Sequence, residues 1–334
     1  MFSALAKNPF VTSSQHVSPA KGGLWVDVSE LIGLRNQAKL VDLRSVNRAR
    51  SVLAGSHVSK FRGRGMDFDE SRRYQAGDDV RRIDWRVTAR TGEPHTKIYT
   101  EERERPVYLV VDYSPSMFFG SKVCLKSVTS AKAASLLAWA TTQSGDRVGS
   151  VISTLGGITN TKPRSGNRGT LAFINHLASA SKGLPSTVIP QKDTNCLAAG
   201  LGHINQIVHP GSLVIVLSDF FSFDQNLTES FTQLKKSCDL MLIKVSDPLE
   251  KMAPKPGRYV VTDGNKNRII DTIQPHARAA FTAPYENNEF RINELCKTLN
   301  LQLINLTSGN YIVKQLTTQF TRRFTDPLIV DGSD

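Results

Sequence analysis

Two uninterrupted apolar, β-prone runs, each followed at once by oxygen-bearing side chains, constrain this chain more than any other feature. The first run, Val107–Val111, leads into Asp-x-Ser-x-Ser, and the second, Leu213–Leu217, leads into Ser-Asp. Strands that are apolar at every position are typical of a parallel sheet covered on both faces. Ligands bind to open α/β sheets at the carboxyl ends of such strands. The two runs therefore predict an α/β fold with a polar site at one sheet edge.

Segments with helical apolar spacing alternate with further β-prone runs, which predicts a doubly wound, mostly parallel sheet. Predicted helices cover Lys122–Ser144, Thr170–Ser181, a segment opening near Thr194, Leu227–Lys236 and Asn288–Leu299. Further strands are predicted at Val148–Ile152, Leu240–Val245, Arg258–Thr262 and Leu301–Leu306, and residues 159–169 as a loop or weak hairpin.

The chain divides into four predicted parts. Residues 1–54 form an N-terminal arm and helix, and residues 55–105 form an arginine-rich subdomain packed on the core. The α/β domain covers residues 106–310, and a C-terminal tail, helical or loose, covers residues 311–334.

The polar positions after the strands suggest a cation site. In an extended chain Asp112, Ser114 and Ser116 point to the same side, and small hard oxygens suit Mg²⁺. Thr194 begins a predicted helix, and Asp219 follows the second strand. Taken singly, each of these residues is also an ordinary N-cap or loop residue. The five together favour a metal centre that holds Mg²⁺, with Mn²⁺ or Ca²⁺ as alternatives.

Arginines and aspartates alternate in the segment before the first strand. A phosphate-binding surface is one interpretation, and internal Arg–carboxylate pairs that hold a small subdomain are the other. We favour the second because acidic residues are interspersed. The partner-binding candidates are Arg73, Tyr74, Asp78, Asp79, Arg81, Asp84, Trp85 and Arg90.

The amino-acid composition indicates the compartment in which the protein works but does not identify its partner. The net charge of +12 is compatible with nucleic acid, an anionic membrane or an acidic protein. The four cysteines (Cys124, Cys196, Cys238 and Cys296) are far apart, which predicts reduced and mostly buried thiols in a cytoplasmic protein. No apolar run has the length of a signal sequence or a transmembrane helix.

The order Asp112-x-Ser114-x-Ser116, then Thr194, then Asp219 resembles the metal-ion-dependent adhesion site of von Willebrand factor type A domains. That resemblance implies that Ser114 and Ser116 contact the metal directly. Thr194 would contact it directly or through water, and Asp112 and Asp219 would act largely through water. It also implies a coordination position left for an acidic residue of a partner.

The upstream segment, Arg73-Tyr74-x-x-Gly77-Asp78-Asp79-x-Arg81-x-Ile83-Asp84-Trp85 with Ala89-Arg90 and Glu101–Arg105, resembles a bacterial family of unknown function. That family has a von Willebrand A-like domain and is usually associated with MoxR-type AAA+ ATPases. The resemblance covers roughly residues 55–306 and implies an adaptor or assembly factor for such an ATPase and an unknown client, not an enzyme.

Two other functions are alternatives. A metal-dependent phosphoesterase would use the same carboxylates, but no evident nucleophile, general base, H-E-x-x-H spacing or Walker-type loop accompanies them. A basic nucleic-acid-binding protein would explain the charge, but no aromatic-interleaved basic motif supports it. We therefore expect no stable nucleic-acid complex.

Overall fold

The computed structural model describes residues 23–41, 66–75, 77–101, 104–182, 195–262 and 267–322. Within these residues a six-stranded sheet has the strand order β10-β7-β6-β3-β4-β5, parallel except for β5. Its strands are β3 (Pro106–Tyr113), β4 (Arg147–Thr154), β5 (Gly157–Arg164), β6 (Leu213–Ser218), β7 (Asp239–Ser246) and β10 (Gln302–Thr307).

Helices cover both faces of this sheet. One face carries α1 (Val28–Gly33), α3 (Lys126–Gln143), α4 (Asn167–Ser181) and α9 (Ile312–Arg322), and the other carries α5 (Cys196–Ile207), α6 (Gln225–Ser237) and α8 (Pro275–Thr298). Alternate residues of β3 serve the two cores: Leu109 and Val111 face the first, and Tyr108 and Val110 face the second. Because both faces of the central strands are buried, Val107–Val111 of β3 and Leu213–Leu217 of β6 are apolar throughout. The prediction of a doubly wound, mostly parallel α/β fold is confirmed.

Two smaller sheets complete the described chain. The arginine-rich segment forms β1 (Met66–Arg73) and β2 (His95–Glu101), paired antiparallel, with α2 (Trp85–Thr91) between them. After α7 (Pro248–Lys251), β8 (Arg258–Thr262) and β9 (Asn267–Asp271) form a hairpin.

Several boundaries differ from the sequence prediction. Residues 159–169 were expected as a loop or weak hairpin, and the structure forms the hairpin: β5, which ends at Arg164, pairs with β4 as the antiparallel edge of the sheet. Helix α8 begins at Pro275 rather than at residue 288 and continues through Pro284. Of the tail, Ile312–Arg322 is a helix whose Leu316 and Phe320 enter the first core. The division into four parts stays a prediction.

Arg105 joins the amino ends of the strands, at the edge opposite the polar site. Its backbone N–H donates to Asp146 Oδ1 at 2.8 Å. Its guanidinium donates to the carbonyls of Gly211 (3.0 Å) and Ser212 (3.2 Å) and to the Asp239 carboxylate. One side chain in the segment before β3 therefore fixes the starts of β6 and β7.

We predict that Arg105→Met lowers the free energy of unfolding by about 2 kcal/mol, since it removes the charged donor that two backbone carbonyls and the Asp239 carboxylate share. Urea denaturation monitored by circular dichroism measures this. Arg258→Met is the matched control, because the Arg258–Asp271 pair is exposed on the hairpin and its removal should lower the free energy of unfolding clearly less. Equal losses in the two variants would contradict this role for Arg105.

Two glutamines cap the exposed edge strand β10. Gln315 Oε1 accepts from Thr307 N at 2.8 Å, and its Nε2 donates to Thr307 O at 3.1 Å. Gln319 makes the same pair of hydrogen bonds to Asn305: its Oε1 accepts from Asn305 N at 2.8 Å, and its Nε2 donates to Asn305 O. These side chains occupy backbone groups that another strand could otherwise pair with.

We predict that replacing both glutamines with leucine increases self-association, because the edge of β10 then has free donors and acceptors. Sedimentation velocity over a concentration series measures this. Lys314→Leu is the control, because it adds an apolar residue to the exposed face of the same helix without touching β10. Self-association of the control to the same extent would show that surface hydrophobicity is the cause.

Candidate functional site

The candidate site lies where the winding of the sheet reverses. From β3 the chain proceeds to β4 and β5 on one side, then returns to β6 and continues to β7 and β10 on the other. Such a switch point opens a crevice at the carboxyl ends of the strands. Val111 pairs with Leu217, so that Asp112 of β3 and Ser218 of β6 stand side by side.

The carboxylate of Asp112 is buried, with 2% of the residue exposed, and organises the hydroxyls around it. Its Oδ1 accepts from the backbone N–H of Ser114 at 2.9 Å and from the Ser114 hydroxyl. Its Oδ2 accepts from Ser218 Oγ at 2.6 Å. Burial, together with the nearby charge of Asp219, raises the pKa of Asp112 to about 6. The fold thus places the Asp112 carboxylate in an environment that disfavours its charged form.

Asp219 is held by a buried lysine. Its Oδ2 accepts from Lys126 Nζ at 2.7 Å, and its Oδ1 accepts from Phe221 N at 3.0 Å. The same ammonium donates to Glu250 Oε1 at 2.5 Å, and the Lys126 side chain is fully buried. Burial acts to lower the pKa of Lys126, but the two carboxylates outweigh it and raise that pKa. Lys126 therefore carries a charge between Asp219 and Glu250.

The structure brings four of the five predicted site residues to this edge, although not all in extended backbone. Asp112 belongs to β3, Ser114 follows the strand, and Ser116 lies in the 3-10 turn Pro115–Phe118. The alternation expected through Ser116 therefore ends at Ser114, since Pro115 begins the turn. Thr194 lies outside the described residues; the following helix begins at Cys196, with Asn195 as its N-cap.

Three residues of the site escaped the sequence analysis. Ser218 could have been found, because it directly precedes Asp219 at the end of an apolar strand. Lys126 and Glu250 gave no signal, because a lysine at a helix start and a glutamate in the short helix α7 are ordinary surface residues by sequence. Their contacts with Asp219 come from elements far apart in the chain.

The partner-binding candidates lie in the β1–β2 unit. Arg72 pairs with Asp78 at 2.7 Å and Arg73 with Glu93 at 2.8 Å. The carboxylates of Asp79 and Asp84 cap the 3-10 turn Val80–Arg82 and helix α2. The Tyr74 hydroxyl donates to Asp78 O at 3.3 Å.

Three of the candidates are exposed: Arg81, Trp85 and Arg90. Internal pairing thus accounts for part of the arginine block, and its exposed part keeps both interpretations open.

A strained turn presents an aromatic ring beside Asp219. Phe220 has a φ of +54°, a left-handed conformation that costs a non-glycine residue about 1–3 kcal/mol. The turn buries Phe220 fully and leaves Phe221 64% exposed. Phe119 and Val123, in the segment after Ser116, are also exposed. Apolar side chains therefore flank the polar centre.

The donor set fits a hard cation. The Ser114 hydroxyl gives its hydrogen to Asp112, which turns its lone pairs away from that carboxylate. A cation beside Ser114 would also relieve the charge that Asp112 bears in its buried position. Among the residues described, no group of three or more His, Cys, Asp or Glu side chains could hold a metal, so hydroxyl oxygens have to complete the set.

Comparison with known proteins identifies the family. Residues 70–291 match the family described as "Protein of unknown function DUF58", and the chain belongs to this family. Uncharacterized proteins of Mycobacterium tuberculosis and Mycobacterium bovis are 28% identical over 244 residues, covering 73% of this chain and 75% of theirs.

The solved structures that are similar to part of this chain include the following two. The conserved hypothetical protein BatB from Bacteroides thetaiotaomicron is 15% identical with a TM-score of 0.38, covering 66% of this chain and all of that one. A von Willebrand factor type A protein from Catenulispora acidiphila is 12% identical with a TM-score of 0.37, covering 68% and 44%.

The remaining sequence predictions concern the cysteines and the membrane. The four cysteines form no disulfide, and Cys196, Cys238 and Cys296 are buried while Cys124 is half-buried. In the parts of the chain that are described, every helix is too short or too polar to cross a bilayer.

We predict that Lys126→Met lowers the free energy of unfolding by about 3–5 kcal/mol, because it leaves the buried carboxylate of Asp219 without its cation. Chemical denaturation measures the loss. Lys132→Met is the control on the same helix, since the Lys132–Glu30 pair is partly exposed and should contribute less than about 1 kcal/mol. A Lys126→Met protein as stable as the control would contradict the assignment of Lys126 as the main counter-charge.

Proposed function

We propose that this member of the family is a metal-dependent protein-interaction adaptor, or assembly factor, that works in the cytoplasm with a MoxR-type AAA+ ATPase and a client protein. The observation that carries the proposal is the cluster of Asp112, Ser114 and Ser218 at the switch point, with Asp219 beside it. This arrangement joins the polar groups of a cation site to an exposed apolar rim. The four cysteines without disulfides fit a reducing compartment.

The residues divide into those that would touch the ion and those that orient them. Ser114 and Ser116, with Thr194, would hold Mg²⁺ through their hydroxyl oxygens, and Mn²⁺ or Ca²⁺ are the alternatives. Asp112 already binds the hydroxyls of Ser114 and Ser218, so its part is to orient hydroxyls and supply charge. Asp219 has both oxygens engaged by Lys126 and Phe221, which suits contact through water. The bound ion would supply positive charge and an open position for a partner's carboxylate.

The surroundings favour a protein as the ligand. Phe221, next to Asp219, and Phe119, whose ring centre lies 5.9 Å from Lys126 Nζ, are exposed, and aromatic residues contribute strongly to protein interfaces. An acidic side chain of the partner would meet the cation while its neighbours pack on these rings. Because the left-handed turn at Phe220 holds Phe221 outward, this surface is formed before binding.

The exposed residues of the β1–β2 unit are a second candidate contact. Arg81, Trp85 and Arg90 could bind an acidic surface of the ATPase, and tryptophan and arginine are enriched among residues that dominate interfaces. The cation site and the arginine block would then serve different parts of one assembly.

The test uses a purified MoxR-type ATPase from the same organism, immobilised for biolayer interferometry, with Mg²⁺ or with EDTA. We expect binding to weaken by at least about tenfold, equivalent to 1.4 kcal/mol, in EDTA and in the Ser114→Ala/Ser116→Ala double variant. Ser165→Ala, in the segment after β5 at the opposite edge, is the matched control and should bind as wild type.

Other outcomes separate the two surfaces. Equal binding in Mg²⁺ and EDTA, with loss only on Arg81→Ala/Arg90→Ala, would move the ATPase contact to the β1–β2 unit and leave the cation site for the client. No binding under any condition would contradict the ATPase partnership.

A further inference from the structure

A cavity beside the cation site contains a buried lysine without a hydrogen-bond partner. Its volume is about 220 Å³, and it lies between the carboxyl end of β7 and helix α8. Lys244 of β7 is 2% exposed, and its Nζ has no hydrogen-bond partner in the described part of the chain. The ammonium stands 4.2 Å from the centre of the Tyr285 ring. A buried amine left without an oxygen partner is costly, which points to a ligand.

The carboxylates in the cavity wall are already engaged elsewhere. Asp219 accepts from Lys126 and Phe221 N, and Glu250 accepts from Lys126 with Oε1 and from Asp247 N with Oε2 at 2.8 Å. Neither gives Lys244 a hydrogen bond. Glu289, Glu250 and Asp219 act on Lys244 only at longer range, with Lys251 opposing them, and burial lowers its pKa. An anion in direct contact with the Lys244 ammonium would stabilise its charged form, which burial disfavours.

A second buried polar atom without a hydrogen-bond partner in the described chain indicates which groups the ligand carries. Asn288 donates through Nδ2 to Asp219 O at 3.2 Å, and its Oδ1 is buried without a donor in the described chain. The cavity therefore offers a cationic donor at Lys244 and an acceptor at Asn288. Phe281, Pro284 and Val245 add apolar surface to its wall.

We propose that this cavity binds a carboxylate that carries an adjacent N–H and an apolar side chain, the chemistry of the last residue of a polypeptide or of a free acylamino acid. The carboxylate pairs with Lys244, the N–H donates to Asn288 Oδ1, and the side chain packs on Phe281 and Pro284. Lys244, Tyr285 and Asn288 form the cavity without the cation, so the pocket functions in the absence of metal.

Isothermal titration calorimetry in EDTA, with N-acetyl-L-leucine and its amide as probes, tests the proposal. We expect the acid to bind at least about tenfold more tightly than the amide, which has the same shape without the charge. Equal binding of acid and amide, or no binding of either, would overturn the proposal. This comparison needs no variant.

Variants test the assignment to Lys244. Lys244→Met should abolish the preference for the acid and should leave the melting temperature unchanged or raise it, since it removes a buried ammonium that has no hydrogen-bond partner in the described chain. Lys251→Met, on helix α7 and outside the cavity, is the matched control and should retain the preference. A Lys244→Met protein that still prefers the acid would overturn the proposal.

The source of the carboxylate is settled by a third probe. A pentapeptide that ends in leucine should bind more tightly than N-acetyl-L-leucine if the ligand is a polypeptide terminus, and more weakly if it is a small acid. Because all titrations contain EDTA, failure of the metal-dependent function would leave this result unaffected.

Discussion

Two buried carboxylates at one sheet edge repel each other, and the surrounding structure is arranged to contain that repulsion. The pairing of β3 with β6 places Asp112 and Asp219 at neighbouring strand ends. Asp219 takes its counter-charge from Lys126, while the hydrogen bonds that Asp112 accepts within the described chain come from two hydroxyls and a backbone amide. Burial is the larger cause of the raised pKa of Asp112, about 6, and the charge of Asp219 is the second. We therefore place the second positive charge, that of the proposed cation, beside Asp112.

The same edge combines rigid and strained elements in one binding surface. The apolar strands hold the two carboxylates in place, and Arg105 fastens the opposite ends of the neighbouring strands. Above them the left-handed Phe220 turns Phe221 into solvent. Asp219 also lines the cavity around Lys244. In the proposed complexes, a partner would contact a cation, an aromatic rim and an anion-binding pocket within one crevice.

Sequence alone predicted the layers of the fold because both faces of the sheet are buried, which makes Val107–Val111 and Leu213–Leu217 continuously apolar. It predicted Asp112, Ser114 and Asp219 at one edge because parallel strands share a direction. It predicted β8 at Arg258–Thr262 but missed its partner β9 and the early start of α8, since a short polar strand and a proline within a helix contradict local propensity. Lys126 and Lys244 were also missed, because the burial of a lysine depends on elements that meet only in the folded chain.

Anomalous diffraction from crystals grown with Mn²⁺ tests the proposed cation site directly. We predict a manganese peak within bonding distance of the hydroxyl oxygens of Ser114 and Ser116, with water linking the ion to Asp112 and Asp219, and loss of that peak in the Ser114→Ala/Ser116→Ala variant. Wild-type crystals in which manganese binds elsewhere would contradict this assignment. So would crystals with no manganese at this edge, where Lys126 would be the only cationic group beside the two carboxylates.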